Sequence, residues 1–295
     1  MEQHQFALNE KKKVALISVG AAIFITVGKL IVGLLTGSLG ILSEALHSAL
    51  DFVAAVITYF AVKISDKPAD ENHQFGHGKY ENLSAFIETI LLFVTCFWII
   101  YEAISRLVSG NTEIEISYWS YIVVIASIII DYSRSRELMR VAKKYNSQAL
   151  EADALHFSTD IWSSSVVLLG LICAQFGFFL ADSIAALIVA AIVIFIAYKL
   201  GKRSIDVLLD RTSVETYKIV ETILKKIPEV LKFHNLRIRT SGAYTFVEVS
   251  IHVDPKMSIE KAHEISHLVE NAICEKIDKC EVHVHEEPDN NHLTR

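Results

Sequence analysis

Two short patterns in this chain carry side chains that bind metal ions. Leu42-Ser-Glu-Ala-Leu-His-Ser-Ala-Leu-Asp51 sets His47 and Asp51 four residues apart inside an apolar run. On a helix that spacing stacks them one turn apart on the same face. Leu155-His-Phe-Ser-Thr-Asp160 repeats the spacing with His156 and Asp160, where a second apolar run opens. Two imidazole nitrogens and two carboxylate oxygens suit a tetrahedral divalent ion, zinc above all. Ionisable groups at membrane depth cost roughly 2.5–3.5 kcal/mol each on insertion scales, so their presence calls for a function. A third cluster, Asp70, His73 and His77, lies in the loop Asp70-Glu-Asn-His-Gln-Phe-Gly-His-Gly-Lys79, whose glycines let the chain fold back. Glu44 and Glu88 read as helix-packing or proton-path groups, and Asp131 as a solvated residue near a helix end.

The elements that position these groups are membrane helices. The chain has 295 residues, 52% of them hydrophobic, and a mean hydropathy of +0.38. That points to the membrane class. Six apolar segments are each long enough to span about 30 Å at 1.5 Å per residue. They are predicted at about 14–35, 39–64, 83–107, 118–132, 149–176 and 179–200, the fourth continuing as a polar helix toward Tyr145. Gly28, Gly33 and Ala45 are expected to permit close helix packing. No cleavable signal peptide is expected, because the first apolar run is too long for one. Trp98, Tyr118 and Trp119 are candidates for an aromatic belt. Lys11, Lys12 and Lys13, the basic run after the fourth segment, and Lys199, Lys202 and Arg203 crowd one side of the membrane, while Glu113, Glu115 and the turns at Thr36 and Gly177 occupy the other. The positive-inside rule then puts both termini in the cytoplasm.

Past Asp210 the composition becomes that of a soluble domain, so residues 1–210 are expected to form the membrane domain and 211–295 a cytoplasmic one. Thr212-Ser-Val-Glu215 reads as a capping box opening a helix to about Ile227. Strands are expected at about 236–240, 246–253 and 281–286, and a helix over 258–276. In the second strand Val247, Val249, Ile251 and Val253 face inward, and Glu248, Ser250 and His252 outward. The order αββαβ makes a small α+β sandwich.

These residues are similar to a known family, the cation diffusion facilitators, and within it to the bacterial zinc and iron efflux members. The resemblance rests on the Gly-Ser-Leu-Gly-Ile-Leu-Ser-Glu-Ala turn into the second helix, on Phe-Gly-His-Gly-Lys-Tyr-Glu after it, and on Ala-Asp-Ala-Leu-His with Asp160. It implies a metallochaperone-like tail and a homodimer in the membrane that exports divalent metal from the cytoplasm in exchange for protons. It matches His47, Asp51, His156 and Asp160 to the transport site. Where well-known bacterial members carry Asp, this chain has His47, a pattern typical of zinc-preferring members. The resemblance matches Asp70, His73 and His77 to a second site. It matches His234, His263, His285 and Glu287 to a two-metal site at the dimer interface of the tail. The family's strand histidine falls at Ser250, and His252, two residues on, stands in for it on the same face. Lys79 and Asp210 match a charged contact that locks the family's dimer.

Other classes fit less well. The net charge of −6 supplies no basic stripe for nucleic acid. There are four cysteines and no Cys-x-x-Cys, so neither a disulfide framework nor a thiolate zinc site is indicated. A membrane zinc hydrolase needs an open coordination position and a base, and His-Glu-x-x-His is absent, so no enzyme is expected. Exporters of Fe²⁺, Co²⁺, Ni²⁺ or Cd²⁺, and a membrane-anchored zinc sensor, remain as alternatives. A bacterial inner membrane is expected from the short loops.

Overall fold

The computed structural model describes residues 2–36, 39–109, 118–175 and 180–289. Gly37, Ser38, Glu113, Glu115, Gly177 and His292 lie outside the described residues, as do the side chains of His4, Glu44, Tyr118, Trp119 and Cys173. The chain divides into two compact units, residues 1–68 with 80–205, and residues 69–79 with 206–295. The loop after the second helix thus belongs with the C-terminal unit.

The first unit is six long helices: α1 (Glu2–Thr36), α2 (Leu39–Ser65), α3 (Lys79–Ser109), α4 (Tyr118–Tyr145), α5 (Gln148–Gln175) and α6 (Leu180–Leu208). By length and composition alone, three stretches among the described residues can cross a membrane: Phe6–Leu35, Ala45–Ser65 and Lys79–Ser105. The main core joins α1, α2, α4 and α5 around Ala15, Ala22, Ala55, Val62, Leu138 and Phe157. Alanines at these crossings let helix backbones approach closely without a solvent-driven hydrophobic term between them. A second core joins α3 to α6 through Leu92, Cys96, Val189, Val193 and Ala197. The outer faces leave Phe24, Leu35, Phe97 and Phe195 exposed, an apolar surface of the kind that faces lipid.

One packing expectation is corrected. A Cβ built on Gly28 meets nothing within 4 Å, whereas one on Gly201 lands 2.7 Å from the Thr89 methyl. The close glycine contact is therefore between α6 and α3, at Gly201 and Thr89, rather than at Gly28. At one end of the bundle, buried Lys11 of α1 bonds Asp66 at 2.9 Å and Glu81 at 3.1 Å, and Ser65 also donates to Glu81.

The second unit adds α7 (Val214–Leu224), β1 (Lys232–Ser241), β2 (Tyr244–Val253), α8 (Ile259–Cys274) and β3 (Cys280–Pro288). The order is αββαβ, with β2 central, antiparallel to β1 and parallel to β3. Val247, Val249, Ile251 and Val253 are buried against α7 and α8, as their alternation requires. Two local readings shift. The cap of α7 is Ser213, which accepts from the Thr216 N–H at 3.0 Å, because the Thr212 hydroxyl is drawn to the Ile238 carbonyl of β1. And β1 begins four residues early. A bulge between His234 and Arg237, with Asn235 at φ 54°, interrupts the alternation that would have marked it. Ser250 lies on the outward face yet is buried, since it sits mid-sheet between His234 and His285.

The loop 69–79 packs on the β1–β2 hairpin. A Cβ on Gly78 would stand 2.4 Å from the Ser241 carbonyl oxygen, so only glycine permits the approach. Gly242, at φ 59°, makes the facing turn. Arg239 stacks on Phe75 at 3.5 Å, and Phe75 meets Phe246 edge-on.

Candidate metal centre

Helices α2 and α5 bring their His-x-x-x-Asp faces together. His156 Nε2 stands 3.0 Å from Asp51 and 3.7 Å from Asp160. His47 Nε2 lies 3.6 Å from Asp160 and 3.9 Å from Asp51. Each imidazole therefore faces both carboxylates, and ligand atoms of His47, Asp51 and Asp160 all fall within 4.8 Å of one another. Asp51, His156 and Asp160 are buried, and His47 is half-buried. Among the described residues, one buried oxygen of Asp160 and Nδ1 of His156 lack a hydrogen-bond partner. Unpaired buried polar atoms are costly unless something else meets them.

His47, Asp51 and Asp160 line a cavity of about 380 Å³ with Lys29, Asp131 and Arg134 on its wall. Asp131 corrects its reading as a solvated residue. It is buried, and Arg134 on the next turn donates to it at 3.2 Å. Arg134 also donates to Ser18 at 3.1 Å and stacks on Phe157 at 3.5 Å. Ser18 in turn donates to fully buried Asp153 at 3.2 Å, a carboxylate that sequence reasoning passed over. The available signal was its place three residues before His156, within the helix that carries the second pattern. Glu88 is fully buried and accepts from Thr58 and from Ser84, which fits a packing role.

The second cluster is smaller and more open. Asp70 Oδ1 accepts the His73 N–H at 2.7 Å and the Asn72 N–H at 3.0 Å. The His73 N–H, above all, holds the Asp70 carboxyl below the usual carboxylate range. His73 Nδ1 and His77 Nε2 stand 3.2 and 3.3 Å from the two Asp70 oxygens. Lys79, at the loop's end, donates to Asp210 at 2.8 Å.

In the tail, pairing across the sheet puts His234 and His285 opposite Ser250, and Glu287 opposite His252. His252 Nε2 is 3.1 Å from His234 Nδ1. Glu287 lies 3.6 Å from His234, 3.8 Å from His252 and 3.6 Å from His285. The face so formed holds four of the five tail residues. His263 is on α8, with its ring nitrogen 3.1 Å from His267 rather than on this cluster. Asp289, 3.8 Å from His252 Nδ1, was also missed, because a polar terminus offers no pattern.

The cation efflux transmembrane domain matches residues 15–209, and the cytoplasmic domain of cation efflux proteins matches residues 212–289. An uncharacterised transporter of Methanocaldococcus jannaschii is 31% identical over 94% of this chain and 99% of its own length. The cation-efflux pump FieF of Shewanella oneidensis is 30% identical over 92% of each. The magnetosome protein MamB of Magnetospira sp. is 34% identical over 87% of this chain and 88% of its own. Among solved structures, the metal-bound C-terminal domain of the CzcD transporter from Thermotoga maritima is 35% identical, covering 28% of this chain and 96% of that one, with a TM-score of 0.26.

Proposed function

The chain belongs to the cation diffusion facilitator family of integral-membrane cation efflux transporters, and from that premise we propose that it exports Zn²⁺ from the cytoplasm in exchange for protons through the His47–Asp51–His156–Asp160 cavity. The observation that carries this reading is the mutual facing of the two imidazoles and two carboxylates of α2 and α5, at 3.0 to 3.9 Å, with His47, Asp51 and Asp160 lining a cavity. Two nitrogens and two oxygens in a compact set favour zinc over the harder Mn²⁺. Iron, cobalt, nickel and cadmium are the competing cargoes.

Zinc takes neutral imidazole and ionised carboxylate, so loading the site displaces protons. Facing the cytoplasm, the site releases protons and takes the ion. Opened to the more acidic side, it takes protons back and releases the ion. Movement of α2 and α5 between the two exposures supplies alternating access, and the proton gradient supplies the energy. Both termini lie in the cytoplasm of a bacterial inner-membrane protein, consistent with the distribution of Lys and Arg. The chain works as a homodimer, with Lys79 and Asp210 helping to hold it. Asp70, His73 and His77 bind a second ion. The face of His234, His252, His285 and Glu287 takes cytoplasmic metal and draws two tails together.

The test is zinc uptake into inverted membrane vesicles energised by a proton gradient. His47→Ala and Asp160→Ala should each abolish uptake. Undiminished uptake by either variant contradicts the assignment, and a tail that binds zinc without any flux favours the sensor reading.

A further inference from the structure

Resting on the transport reading above, we propose that Lys29 serves the transport cycle not as a ligand but as a fixed positive charge, one that lowers the zinc affinity of the His47–Asp51–His156–Asp160 site enough for the ion to leave. An ammonium inside a membrane helix is costly and calls for a function. Lys29 is buried on α1 rather than reaching for a helix end. Its Nζ donates to Ser48 Oγ at 3.0 Å, beside His47 on α2. It lines the same cavity as His47, Asp51 and Asp160. Thr26, one turn earlier on α1, donates to the Ser48 carbonyl at 2.9 Å. Two bonds therefore tie this stretch of α1 to α2, and they hold the ammonium beside the His47–Asp51 pair when α2 moves.

The other charges on the cavity wall do not cancel this one. Arg134 donates to Asp131 at 3.2 Å, so those two offset each other. Glu102 also lines the cavity, but it is exposed. What stands beside the ligands is then two buried carboxylates, Asp51 and Asp160, and one buried ammonium, Lys29. An entering dication is attracted by the first two and repelled by the third. Charges act more strongly inside a protein than in water, so the repulsion is felt without contact. A site that conducts ions must bind well enough to load and weakly enough to unload. Two imidazoles and two carboxylates provide the loading, and Lys29 provides the unloading.

The experiment is zinc binding to the full-length protein in detergent, by equilibrium dialysis with metal quantification, beside proton-driven zinc uptake by vesicles. The equivalent that Asp51→Ala loses identifies the α2–α5 site. Lys29→Met keeps the stem and removes the charge, and it should tighten that equivalent by about tenfold. In vesicles it should lower KM and the maximal rate together, because loading becomes easier and release slower. Lys29→Gln keeps a donor for Ser48 and should do the same. Lys29→Arg keeps the charge and should stay nearer the wild type than either. A residue that only packs α1 on α2 would weaken binding when changed and would not lower KM. Wild-type or weaker affinity in both neutral variants overturns the proposal. So does Lys29→Gln that matches the wild type, which would assign the effect to the hydrogen bond, or Lys29→Arg that matches Lys29→Met. An Asp51→Ala variant that loses no equivalent overturns the transport site itself, and Lys29's role with it.

Discussion

The α2–α5 site and the tail's sheet face carry the same side chains, histidine and carboxylate, in opposite surroundings. In the cavity Asp51, His156 and Asp160 are buried, and two helices hold the ligands from both sides. On the sheet, His234 and His285 are exposed, and neighbouring strands display the ligands on one open surface. Buried charges demand partners, so the cavity is surrounded by Lys29, Arg134 and Asp131 in a network that extends to Ser18 and Asp153. The sheet face has water instead and needs no such network. On the proposed reading, one region holds an ion out of water and the other catches one from it.

That contrast can be broken first at the ligands. Asp51→Ala should reduce zinc transport by more than the roughly 10–100-fold that loss of an outer-shell partner costs a metal site. His252→Ala should leave transport within a few-fold, while lowering zinc binding by the tail's sheet face in a titration of the full-length protein. Equal losses of transport in both variants contradict the division of labour. Next is the network. Arg134→Met strands Asp131 in the protein interior, and truncating one member of a buried pair costs about 3–5 kcal/mol. Lys232→Ala breaks the exposed Lys232–Asp289 pair, 2.9 Å long, which is worth at most about 1 kcal/mol. Thermal unfolding in detergent should therefore separate the two variants clearly.

The loop supplies a third comparison, since it is in sequence between two helices yet packs on the tail. Gly78→Ala forces a Cβ against the Ser241 backbone, and overpacking of that kind costs about 1–3 kcal/mol. Hydrogen exchange in residues 69–79 and the β1–β2 turn should rise. Gly28→Ala, with open space around its Cβ, should change neither. The smallest effect expected is at the α7 cap. Ser213→Ala should cost about 1 kcal/mol, and Thr212→Ala should not reproduce it through the helix, since Thr212 bonds β1 instead.

Much of this was legible in the sequence where a period or a spacing carried it. The two His-x-x-x-Asp repeats announce their helix faces, and the alternation of Val247 to Val253 announces the tail's core. What escaped had no local signature. Asp131 sits on a helix whose far half is polar, so its burial depends on Arg134, Ser18 and Phe157 from three helices. The docking of the 69–79 loop depends on Gly78 meeting Ser241, far away in sequence. The bulge at Asn235 hid the start of β1. For Asp131 and the 69–79 loop a long-range contact, not the local pattern, decided the outcome.

The central claim is that proton movement and zinc movement pass through one buried site. The direct measurement is internal pH in vesicles reconstituted with the protein and loaded with a pH dye, after a zinc gradient is imposed, for the wild type and Asp51→Ala. The account predicts a proton flux in the wild type that requires zinc and disappears in Asp51→Ala. A flux that survives the substitution, or none at all in folded protein that binds zinc, would contradict it.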